Sequence, residues 1–135
     1  MHHLRKEKRE KALKYLVLLI IVCDQAVKSV LIKTQLLAVI VNKGISFGLF
    51  PSAWWLALNI LIVLLVFLLF IKAADKISLL LILGAGISNL FDRIIRGGVI
   101  DYIKLPLFPW SFNLADMAIT AGLLLYFRQI IQVKK

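Results

Sequence analysis

The sequence predicts an all-α membrane protein with four transmembrane helices. Composition is the first observation: 61% of the 135 residues are hydrophobic and mean hydropathy is +0.93. A water-soluble domain of this length has too little interior to hide that much apolar surface. The second observation is clustering. The apolar residues fall into four stretches of about 20, enough to cross ~30 Å of hydrocarbon at ~1.5 Å per residue. One domain is all this length supports.

Residues 1–12 form a basic segment. Arg5, Lys6, Lys8, Arg9 and Lys11, followed by Lys14, stand against Glu7 and Glu10. Such a head directly before an apolar run reads as a cytoplasmic flank drawn to anionic phospholipid. Nucleic acid is the other use of a basic head, but no basic face or aromatic-basic sheet pattern follows, so no such partner is expected. Span one covers 13–32, "LKYLVLLIIVCDQAVKSVLI". Cys23 there resembles a lipoprotein signal only superficially, because Ile21 and Val22 fill places that want small residues, and the helix is expected to be retained. Span two covers 52–71, introduced by Pro51, with Trp54 and Trp55 at a headgroup boundary. "KAADK" at 72–76 makes a five-residue turn into span three, 77–95. Span four covers 112–130, with Trp110 marking its boundary, and 131–135 is a basic tail. Residues 13–130 thus form the functional unit.

Eleven Lys and Arg fall on the side of the two termini and the 72–76 turn, and six on the other. Both termini are therefore expected in the cytoplasm, with the 33–51 and 96–111 connections outside.

Cys23 is the only cysteine, so neither a disulfide framework nor a Cys-rich metal site is available. His2 and His3 are the only histidines, which excludes an HExxH zinc site and leaves no Ser-His or Cys-His pair. Neither metal nor cofactor is expected.

The polar residues within this apolar chain share one level. Asp24 and Lys28 stand four apart in span one, roughly 17 to 23 Å across the bilayer, in the favourable acid-before-base order. A structural salt bridge is the plain reading, with substrate or lipid contact as the alternative. Asn89, Asp92 and Arg93 share a face near the end of span three, where Arg93 has the fork to hold a carboxylate and Asn89 the reach to a neighbouring helix. Asn113 and Asp116 open span four with the spacing of a capping box. Asp101 lies in "GGVIDYIKL", where Gly97 and Gly98 permit a turn and the β-branched and aromatic residues favour extended backbone. Asn42 and Gly44 precede span two in "VNKGISFGLF", either as an ordinary turn or as a contact to extended peptide.

Two carboxyls held within a few ångströms cannot both ionise cheaply; they share a proton, one as base and one as acid. That arrangement activates water against a peptide carbonyl without histidine or metal. Asp101 and Asp116 are therefore the expected dyad of an aspartyl protease at the outer boundary, if "LPLFPW" turns the chain back to the same level. A serine–lysine protease using Ser29 with Lys28, or Ser46 with Lys43, lacks a partner arrangement. A non-enzymatic bundle or small transporter remains open, since intramembrane acids also mark proton paths.

"DQAVK" at 24–28, "NKGISFG" at 42–48, "GAGISNLFDRIIRGGVIDYI" at 84–103 and "FNLADMAIT" at 112–120 together resemble the lipoprotein signal peptidases (signal peptidase II), bacterial inner-membrane aspartyl proteases. The resemblance runs from about residue 16 to 128. It implies removal of signal peptides from diacylglyceryl-modified prolipoproteins, by cleavage on the amino side of the lipidated cysteine. It matches the catalytic aspartates to Asp101 and Asp116, and supporting positions to Asp24, Lys28, Asn42, Asn89, Asp92, Arg93 and Asn113. Gly44, Phe47, Gly84 and Ala115 match commonly retained positions. It further implies a small extracytoplasmic β-cradle and a short loop helix over the site, and the chain is expected to act as a monomer. Two glycines common in the family are Ser88 and Ala85 here. Only 13 residues separate Lys28 from Asn42, so a trimmed cradle is expected.

Overall fold

The computed structural model describes residues 2–44, 52–73 and 76–133. Its elements run α1 (His2–Thr34), β1 (Ile40–Asn42), α2 (Ser52–Lys72), α3 (Ile77–Arg96), β2 (Val99–Asp101), β3 (Ile103–Lys104), β4 (Ser111–Phe112) and α4 (Leu114–Val133). Among the described residues, four segments are long and apolar enough to cross a membrane: Tyr15–Thr34, Trp54–Lys72, Ile77–Arg96 and Leu114–Gln132. The fold is thus the expected four-helix membrane protein with small sheets. The helix containing span one also continues back through the basic segment to His2.

Helix α3 is the centre, touching α1, α2 and α4. Its sequence explains why. Small residues allow backbones to approach closely where lipid offers no hydrophobic drive for helices to associate. A Cβ on Gly84 would lie 3.3 Å from the Val17 carbonyl oxygen on α1. On α4, a Cβ on Gly122 would lie 2.7 Å from the Ser78 carbonyl oxygen of α3. The apolar surface of α2, including Leu61, Leu64, Leu65 and Leu68, is exposed, as befits a lipid-facing helix. The buried polar side chains include Asp24, Lys28, Ser88, Asn89, Asp92, Asp101 and Asn113, gathered toward the α3 C-terminus and the α4 N-terminus.

The connections on that side are extended. Gly97 closes α3 in the left-handed conformation (φ 72°), and Gly98 lets the chain pass under β1, where a Cβ would sit 2.9 Å from the Asn42 carbonyl oxygen. β1 and β2 pair antiparallel, with Ile40 opposite Asp101 and Asn42 opposite Val99. β3 and β4 form a separate antiparallel hairpin, with Ile103 opposite Phe112 and Lys104 opposite Ser111. The sheet structure over the site is thus two short ladders. The short loop helix has no counterpart among the described residues. Ser46, Phe47, Gly48 and Pro51, and the middle of the 72–76 turn, lie outside the described residues.

Candidate active site

Each carboxyl of the expected dyad is delivered by a different local device. Side chains two apart on a strand share a face, so Asn42, opposite Val99, lies diagonal to Asp101 on the same side of the ladder. The Asn42 Nδ2 donates to Asp101 Oδ2 at 2.9 Å. Its Oδ1 accepts the Gly44 N–H at 3.1 Å, an Asx turn that fixes which end of the amide faces Asp101. Gly44 is at φ 128°, and a Cβ there would fall 2.5 Å from the Trp55 ring, so only glycine suits the turn.

Asp116 is delivered by the cap of α4. The Asn113 Oδ1 accepts the Asp116 N–H at 3.0 Å, and Asp116 Oδ2 accepts the Asn113 N–H at 3.1 Å, the reciprocal capping box that the spacing predicts. The other free N–H groups of this first turn are also taken. Leu114 donates to the Tyr102 Oη at 3.2 Å, and Ala115 donates to Asp24 Oδ1 at 3.1 Å.

The β3–β4 hairpin joins the two devices. Its proline-containing tip reverses the chain so that Tyr102 donates its N–H to the Phe112 carbonyl at 3.1 Å, which sets Asn113 beside Asp101. The Asn113 Nδ2 then donates to Asp101 Oδ1 at 2.8 Å. Both carboxyls are thereby bonded to one residue, Asn113. Asn89 completes the ring: its Nδ2 donates to Asp116 Oδ1 at 2.9 Å, and its Oδ1 accepts from Lys28 Nζ at 3.1 Å.

Behind the ring lies a buried ionic cluster. Lys28, fully buried, sits 2.6 Å from both Asp24 Oδ2 and Asp92 Oδ2. The Ser88 hydroxyl donates to Asp24 Oδ2 at 2.6 Å, and Gln25 Nε2 donates to Ser88 Oγ and Asp92 Oδ1 at 2.9 and 3.0 Å. Asp92 also pairs with Arg96 and accepts the Ile100 N–H at 3.3 Å. Lys28, Arg93 and Arg96 face the four carboxyls of Asp24, Asp92, Asp101 and Asp116, so one proton held in the group balances its charge.

All ten residues singled out in the sequence (Asp24, Lys28, Asn42, Gly44, Asn89, Asp92, Arg93, Asp101, Asn113 and Asp116) lie in this region. One pairing differs from expectation. Arg93, expected to hold a carboxylate, reaches the Asn42 carbonyl of β1 through Nη1 at 3.4 Å, while its Nε is buried without a hydrogen-bond partner among the described residues. Asp92 pairs with Lys28 and with Arg96, one helical turn on. Sequence reasoning missed Gln25, Ser88, Arg96 and Tyr102. Arg96 was findable as the i+4 partner of Asp92; the Tyr102 bond to α4 has no local signal. The serine–lysine alternative fares poorly, because Lys28 is engaged by two carboxylates and Ser29 accepts from Arg96 at 3.3 Å.

Asp101 is 2% exposed. Burial holds its carboxyl above the ordinary range, the amide bonds from Asn42 and Asn113 oppose that rise, and the neighbouring Asp116 charge adds to it. Asp116 instead lines a cavity of about 750 Å³ that it shares with Asn42, the hairpin residues Leu105, Phe108 and Trp110, and the α4 residues Met117 and Leu124. Chemically, the site offers one carboxyl, Asp116, at the polar end of a mostly apolar cleft, and a second, Asp101, buried beside it and tied to it through Asn113.

Comparison with known proteins gives a consistent family. The family model described as signal peptidase (SPase) II matches residues 16–132. The chain is 37% identical over 89 residues to the lipoprotein signal peptidase of Caldicellulosiruptor bescii, covering 62% of this chain and 59% of that one. It is 41% identical over 87 residues to the lipoprotein signal peptidase of Syntrophomonas wolfei, covering 60% and 58%. The matched region therefore spans under two thirds of the length of these relatives. Two solved bacterial membrane enzyme structures share the fold. The one at 2.3 Å has a TM-score of 0.79 at 20% identity, covering 93% of this chain and 90% of that one. The one at 1.9 Å has a TM-score of 0.80 at 20% identity, covering 89% and 92%.

Proposed function

The chain belongs to the signal peptidase II family, and from that membership we propose that it is an aspartic endopeptidase of prolipoproteins. It cleaves on the amino side of the diacylglyceryl-modified cysteine, using Asp101 and Asp116 to activate one water. The observation that carries this reading is the attachment of both carboxyls to Asn113, one of them, Asp116, lining the cavity.

The chemistry follows from two coupled acids. The ionised carboxyl takes a proton from water as its oxygen attacks the scissile carbonyl carbon, and the protonated carboxyl donates to the carbonyl oxygen. Collapse of the tetrahedral intermediate breaks the C–N bond, with a proton passing from the dyad to the departing cysteine nitrogen. Asn42, Asn89 and Asn113 keep the carboxyls in place with amide donors, while Asp24, Lys28 and Asp92 anchor the helices that carry them. Gly44 gives the Asn42 turn its shape, and Arg93 supplies positive charge within reach of both acids.

The substrate's signal helix enters sideways from the bilayer, and its diacylglyceryl group stays in lipid as an anchor, each buried CH₂ contributing about 0.8 kcal/mol. In this reading both termini lie in the cytoplasm and the site lies near the outer face of the bacterial inner membrane, an orientation supported by the Lys and Arg distribution. The protein works there as a monomer among phospholipids, without nucleic acid.

The test is incubation of purified protein with a lipid-modified prolipoprotein. The parent chain is expected to release the signal peptide, while D101N and D116N accumulate normally and lose cleavage by at least about a thousandfold, since each removes a group needed in the transition state. Unimpaired cleavage by either variant would refute the assignment.

A further inference from the structure

We propose that Ser88 is a positioning residue of the reaction: its hydroxyl holds the Asp24 carboxylate at the angle that fixes the start of α4, and with it Asp116. The proposal rests on the endopeptidase reading above and adds a residue that does not line the cavity. Ser88 is fully buried where α1 and α3 meet. Its Oγ accepts from Gln25 Nε2 at 2.9 Å and donates to Asp24 Oδ2 at 2.6 Å. The other oxygen of that carboxylate, Oδ1, accepts the Ala115 N–H at 3.1 Å, one residue before Asp116. Three helices therefore meet through one carboxylate.

The donors in this chain can run in only one direction. Arg96 carries donors alone, so the Gln25 atom that it meets at 2.6 Å must be the carbonyl oxygen Oε1. The Gln25 amide nitrogen then faces Ser88 and Asp92 and donates to them. Both Asp24 oxygens already accept, from Lys28 and from Ala115, so the Ser88 proton must point to Asp24. Asp24 thereby gains a neutral donor beside Lys28. Lys28 cannot do this alone, because its three protons are divided among Asp24, Asp92 and Asn89. Without the Ser88 hydroxyl, the carboxylate is free to turn toward the ammonium and away from the Ala115 N–H. Asp116 then loses its fixed place against Asp101. The Asn113 and Tyr102 bonds to the same turn remain, so the loss falls on the precision of the site and not on the fold.

The experiment measures cleavage of a lipid-modified prolipoprotein by the purified full chain, and follows hydrogen exchange of the Ala115 amide by NMR in detergent. In S88A, kcat is expected to fall about tenfold, the worth of one hydrogen bond to a charged group, with KM within about twofold of the parent. S88C, close in size and a weaker donor, should fall in the same direction by less. The Ala115 amide should exchange faster in both variants. S78A removes another buried α3 hydroxyl, one that faces Gln129, and should keep the parent kcat and the parent Ala115 exchange. A parent kcat in S88A, or in S88C if S88A does not accumulate, overturns the proposal, as does a fall in kcat with Ala115 exchange unchanged. If the parent chain itself fails to cleave, the endopeptidase reading fails, and this proposal with it.

Discussion

At the scale of single residues, the Asp101 carboxyl carries a pH signature because it is buried. Burial raises its carboxyl above the usual ~3.9, so between that value and the raised one the folded chain binds a proton that the unfolded chain has released. The sign follows: this group's contribution to stability falls as pH rises through that window and is most favourable on the acid side. D101N should flatten that part of the pH dependence of Tm, measured by thermal unfolding in detergent from mildly acid to neutral pH. An unchanged slope would mean that Asp101 titrates normally. Activity should be bell-shaped, losing the base when both carboxyls are protonated and the acid when neither is. Asn42 opposes the rise by donating to Asp101 Oδ2. N42A should therefore move the alkaline limb to higher pH, read from kcat/KM profiles.

At the scale of elements, α4 is positioned from both ends of its N-terminal half. Its first turn is capped by Asn113, Tyr102 and Asp24, and its middle is pressed against α3 at Gly122. A methyl on Gly122 has no room beside the Ser78 carbonyl, so G122A should push α4 off α3 and cost about 1–3 kcal/mol, seen as a lowered Tm. G44A meets two obstacles, the positive φ and the Trp55 ring, and should likewise cost about 1–3 kcal/mol. Because Gly44 also holds the Asn42 amide, G44A should lower kcat as well, whereas an effect on Tm alone would show that the turn does not orient Asn42.

At the scale of the molecule, a chain solvated by lipid has turned its polar side chains inward. The Asp24–Lys28–Asp92 cluster ties α1 to α3, and through the Ala115 N–H it ties both to α4. Removing Lys28 leaves the buried carboxylates of Asp24 and Asp92 without the ammonium they share, and breaking a buried ion pair in this way costs about 3–5 kcal/mol. K28M should therefore fail to accumulate or melt far below the parent chain. A stable K28M would show that water reaches the cluster.

The sequence by itself determined the four spans, because their length and hydropathy answer directly to bilayer thickness. It also determined the contacts made within about one turn of a helix: the Asp24–Lys28 pair and the Asn113–Asp116 cap depend only on residues three or four apart. It showed further that the remaining polar residues gather at one level. Only the tertiary structure decided how that level is wired. The Arg93 side chain turns toward β1, Asp92 takes Arg96 and Lys28, Tyr102 caps α4, and Asn113 also bonds Asp101. Apart from the Asp92–Arg96 pair, these contacts depend on the docking of α1, α3 and α4 and on the register of two short ladders. The β1–β2 register joins strands separated by α2 and α3, and no local spacing encodes it.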